Sequence, residues 1–113
     1  MALGDGVFLL AEAGLLRDRC CTPYPRSIAE FRKAYPHIPV VEDVSFVADH
    51  ETITAAGGAR SYEPALYLVE KRFGRPVAEA VARGLLMDWN LETTRHRIVA
   101  PAPAETPGTP SRD

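Results

Sequence analysis

The stretch from Gly6 to Leu16, GVFLLAEAGLL, carries a single charge, Glu12. Read as a helix, it has apolar side chains on nearly every side, so it predicts a helix buried on most of its surface. A helix of that kind must be sandwiched between other layers, which points to an α/β arrangement rather than to an isolated hairpin or an extended chain. At 113 residues the chain is the length of one domain and can bury a modest core.

The elements after this helix can be placed by their punctuation. Arg17-Asp18-Arg19 reads as a polar turn, and Cys20-Cys21-Thr22 as a short strand stopped by Pro23 and Pro25. Ser27-Ile28-Ala29-Glu30 has the form of a capping box, which opens a helix whose Ile28, Phe31 and Tyr35 recur at helical spacing. Pro36 ends it, because the residue before a proline avoids the α region. Residues 38–41 read as a strand start interrupted by Pro39. Residues 45–49 and 52–55, rich in β-branched side chains, flank His50-Glu51 as a hairpin. Ser61 is placed to cap a third helix with Tyr62, Leu66, Val69 and Phe73 in one stripe and Gly74 at its end. Pro76 opens a fourth helix, with Val77, Val81 and Leu85 on one face and Ala78 and Ala82 free for close packing, ending near Asp88. Residues 97–99 add a last extended piece. Residues 101–113 hold four of the ten prolines and no large apolar residue, so they read as a disordered Pro-rich tail beyond a domain at 1–100.

Charge and composition narrow the function classes. Thirteen basic against fifteen acidic side chains give a net charge of −2, which lacks the broad basic footprint of a nucleic-acid binder. The apolar runs fall far short of the ~20 residues that cross a bilayer. The N-terminus lacks a basic signal start, so a cytoplasmic location is expected. The two cysteines, Cys20 and Cys21, are neighbours; they read as buried thiols, with a redox-responsive pair as the alternative. His37, His50 and His96 fit no metal spacing and read as exposed. No metal and no cofactor is expected.

Several segments in order carry a resemblance. Residues 6–16 resemble the helix after the nucleophile elbow in the ThiJ/PfpI family, within the class I glutamine-amidotransferase-like superfamily. Phe31-Arg32-Lys33-Ala34-Tyr35-Pro36 is similar to that family's Phe-Arg-x-x-Tyr-Pro helix end. Phe46-Val47-Ala48-Asp49 and Thr52 to Gly58 resemble its hairpin, and Ala65-Leu66-Tyr67-Leu68-Val69-Glu70 its following helix. The resemblance runs from about Leu3 to Trp89 and covers only the family's C-terminal half. It implies part of a flavodoxin-like doubly wound sheet, a missing N-terminal half, and self-association or pairing with that half.

The same resemblance locates the chemistry. Active members place a cysteine at the elbow and many place a histidine after the next strand. Here the elbow positions are Gly4, Asp5 and Gly6, and the histidine position is Tyr24. Glycine has no nucleophile, and a tyrosine, with an ordinary pKa near 10, is a poor base at neutral pH. Asp5 reads most simply as a helix N-cap. Gly57, Gly58, Arg60 and Ser61 form a glycine-rich strand-to-helix turn, read as a tight turn or as a small-anion site. Trp89 reads as a packing residue, and Glu70-Lys71-Arg72 as a solvated face. The expectation is a truncated, non-catalytic ThiJ/PfpI-like domain with a binding or assembly role. The alternatives are a fragment of an amidase- or hydratase-like enzyme, with Cys20 or Cys21 as a conceivable substitute nucleophile, and the ligand-sensing part of an AraC-type transcription regulator.

Overall fold

A hairpin organises the molecule. In the computed structural model, which describes residues 1–99, β2 (Phe46–Asp49) and β3 (Thr52–Ala55) pair antiparallel, with Phe46 opposite Ala55 and Asp49 opposite Thr52. His50 takes the turn at φ 55, a left-handed conformation suited to a two-residue hairpin loop. The strand β1 (Ala2–Leu3) joins β3 in parallel, and β4 (His96–Val99) joins β2 in parallel, giving the order β1-β3-β2-β4. Four helices complete a mixed α/β fold consistent with part of a flavodoxin-like sheet: α1 (Gly6–Glu12), α2 (Ile28–Ala34), α3 (Tyr62–Phe73) and α4 (Arg75–Gly84). The expected tail at 101–113 lies outside the described residues.

Side-chain alternation divides the hairpin into two faces. Phe46, Ala48, Ile53 and Ala55 point to one side and form a cluster with Leu66 and Tyr67 of α3, Ala78 and Ala82 of α4, and Trp89. The other face carries Asp49 and Thr54, and the 20–22 segment lies along it. There Thr22 N–H donates to Thr54 Oγ1 at 3.0 Å and Cys20 N–H to Asp49 Oδ2 at 2.7 Å. A second cluster joins Ala2, Val7, Leu16, Cys21, Phe31 and Ile38. Phe31 sits edge-on to Phe8 at 5.1 Å and tilted against Tyr35 at 5.2 Å.

Several sequence expectations need correction. The first helix ends at Glu12, and the chain continues in turns to Asp18. It is not buried on most sides: Val7 is enclosed, but Leu9 is 73% exposed and Leu15, beyond the helix, 57%. Only the side facing Phe31 and Leu16 has cover among the described residues. The capping box is not formed. A 3-10 turn, Pro25–Ser27, precedes α2, and Ser27 sits at φ −102, ψ 2 rather than in the extended conformation a capping serine uses. Ser61 likewise donates its hydroxyl to Gly58 O at 2.8 Å instead of capping α3. In the third helix Leu66 and Tyr67 are buried, whereas Tyr62 and Phe73 at the stripe's ends are exposed.

On α4 the small residues win. Ala78 and Ala82 face the core, where the lack of bulk lets α3 and α4 approach, and Val77, Val81 and Leu85 remain exposed. The helix stops at Gly84, short of Asp88, because Leu86 turns the chain at φ 59. The strand expected at 38–41 is reduced to one bridge between Cys21 and Val40. Two histidines are half-buried rather than exposed. His50 Nδ1 lies 2.5 Å from Asp49 Oδ1, and His96 stacks on Phe46 with ring centres 5.3 Å apart. Glu70 is not merely solvated, since it accepts the Trp89 indole N–H at 2.8 Å. Trp89 packs in the core as expected.

Candidate functional site

The strand-to-helix turn between β1 and α1 is where the elbow was placed. Gly4 donates its N–H to Ala55 O at 2.8 Å, which docks the turn on the end of β3. Its φ of +56 is the left-handed conformation that glycine tolerates best. A Cβ added at Gly4 would meet Ala56 O at 3.8 Å, an ordinary contact, so the turn has room for a side chain and carries none. Gly57, at φ +94, comes so close that its added Cβ would stand 3.1 Å from Gly4 Cα and N.

The side chains around the turn are tied to one another. Asp5 does not cap α1; it sits in the helical region at φ −71, ψ −9, and its Oδ1 accepts the Ser27 hydroxyl at 2.8 Å. That bond draws the 24–27 turn against the elbow, with Tyr24 exposed beside it. Gly6 begins α1. Of the glycine-rich loop, Gly58 and Ser61 bond to each other, and the Arg60 guanidinium pairs with Glu63 at 3.2 Å. The structure therefore brings Gly4, Asp5, Gly6, Gly57 and the Tyr24 stretch together, and directs Arg60 along α3. Sequence spacing did not foretell the Gly4–Gly57 approach; the glycine at each position was the only signal.

The two thiols lie elsewhere. Cys20 is bonded through its backbone to Asp49 at the hairpin tip, whereas Gly4 docks at Ala55 on the opposite end of the same strand pair. Three residue steps of β-strand put ~10 Å between those levels. Burial pushes the Cys20 thiol up, helped by the Asp49 carboxylate beside it, and burial pushes Cys21 up to about 12. Both are therefore held as neutral thiols at neutral pH, the unreactive form. Cys21 is buried as expected, and Cys20 is half-buried. Asp49 is itself almost fully buried, yet it is satisfied by Cys20 N–H and His50, while Arg19 pairs with Glu51 at 3.2 Å on the same turn. Among the described residues no group of three or more His, Cys, Asp or Glu side chains could hold a metal ion, and no helix is long and apolar enough to cross a membrane.

Comparison with known proteins follows the same outline. No family model matches the chain. The HTH-type transcriptional regulator CdhR of Pseudomonas aeruginosa is 34% identical over 85 residues, covering 75% of this chain and 25% of that protein. Protein dj-1beta of Drosophila melanogaster is 32% identical over 82 residues, covering 73% of this chain and 42% of its own. The crystal structure of an AraC family transcriptional regulator from Pseudomonas putida superposes with a TM-score of 0.66 at 30% identity, over 74% of this chain and 44% of that one. The chain is similar to an HTH-type transcriptional regulator, to an AraC family transcriptional regulator and to protein dj-1beta. It spans less than half the length of each.

Proposed function

We propose that this chain is a non-catalytic piece of a ThiJ/PfpI-like domain, of the ligand-sensing kind found in AraC-type regulators, corresponding to the half that begins at the elbow. One observation carries the reading: the turn at Gly4 has the left-handed strand-to-helix geometry, docked on β3, with room for a side chain and no nucleophile on it. The likeness to two regulators favours sensing over catalysis, and the raised pKa values of Cys20 and Cys21 offer no substitute thiolate. Backbone N–H groups at such a turn can still hold an anionic or carbonyl group without transforming it. The purified chain is expected to show no turnover of amide, ester or isonitrile substrates that iodoacetamide abolishes. Alkylation-sensitive turnover would overturn the reading and move attention to Cys20.

The same reading includes assembly with a complementary half or a second copy. The outer edge of β1 has no strand on it among the described residues, and Leu9 and Leu15 expose apolar surface. An open strand edge and exposed leucines each favour association. Sedimentation of the isolated chain over a range of concentrations should show mass rising with concentration, accompanied by binding of a hydrophobic dye. A monomer at every concentration, with cooperative melting and no dye binding, would remove assembly from the proposal.

A further inference from the structure

We draw no further inference here: the strongest candidate, the exposed apolar stripe of Val77, Val81 and Leu85 on α4, is an unpartnered helix face, and nothing in the structure shows what covers it.

Discussion

Gly57→Ala should lower the melting temperature by more than about 10 °C. Two effects act at this one position. Its φ of +94 with ψ −159 lies in a region that only glycine occupies freely, at a cost of roughly 1–3 kcal/mol for any other residue. The added methyl would also stand 3.1 Å from Gly4 Cα and N, and backbone atoms cannot swing aside as the end of a side chain can. Together these effects amount to about 3 kcal/mol, and each kcal/mol moves the midpoint by roughly 4–8 °C in a domain near this size. Gly58, the next residue, is the internal control. Its φ is +64 but no atom lies within 4 Å of an added Cβ, so Gly58→Ala should cost only about 1 kcal/mol. Thermal melts of both variants followed by circular dichroism would separate close approach from backbone strain. Equal, small losses would mean that the Gly4–Gly57 contact does not hold the elbow on β3.

Much of this fold was written in local signals. The hairpin was legible because β-branched residues on both sides of His50-Glu51 alternate with the pleat, and Pro36 and Gly74 marked the ends of α2 and α3 where the backbone stops. Caps were less legible. Ser27 and Ser61 occupy the right places in sequence, but each hydroxyl has a better-placed acceptor, Asp5 in one case and Gly58 O in the other. A capping pattern states what a side chain can reach along the chain, not which partner tertiary structure brings to it. The valine stripe of α4 misled for a related reason: hydrophobicity named the larger residues, while packing against α3 selected the two alanines.

The elbow was legible only by likeness to other sequences. Gly4 offers no chemistry to read, and the residues that shape its surroundings, Ser27 and Gly57, stand 23 and 53 positions away. Asp49 and His50 were read as the plain end of a hairpin. The burial of Asp49 against the Cys20 segment is a long-range event that neither residue announces.

Phe31→Ala should remove most of the order of residues 1–40 while sparing the hairpin and the two later helices. Phe31 is fully buried at the centre of a small cluster, and its ring contacts Phe8 of α1 and Tyr35 at the end of α2. Truncating a buried phenylalanine costs about 3–5 kcal/mol, and Phe31 is the largest fully buried side chain of its cluster. Phe46, Leu66, Tyr67 and Trp89 form the other cluster and share no buried member with it. The two sides should therefore open as separate units, joined through the short pairing of β1 with β3 and the bonds of Cys20 and Thr22 to Asp49 and Thr54. Amide exchange in Phe31→Ala should lose protection across α1 and α2, while the Trp89 fluorescence maximum stays at its folded position. The elbow belongs to the side that opens, since Ala2 and Val7 flank it within the weakened cluster. A single transition in which exchange and fluorescence change together would instead show that β1 and the 20–22 segment couple both clusters into one cooperative unit. Gly57→Ala would then act on the whole molecule rather than on the attachment of the elbow alone.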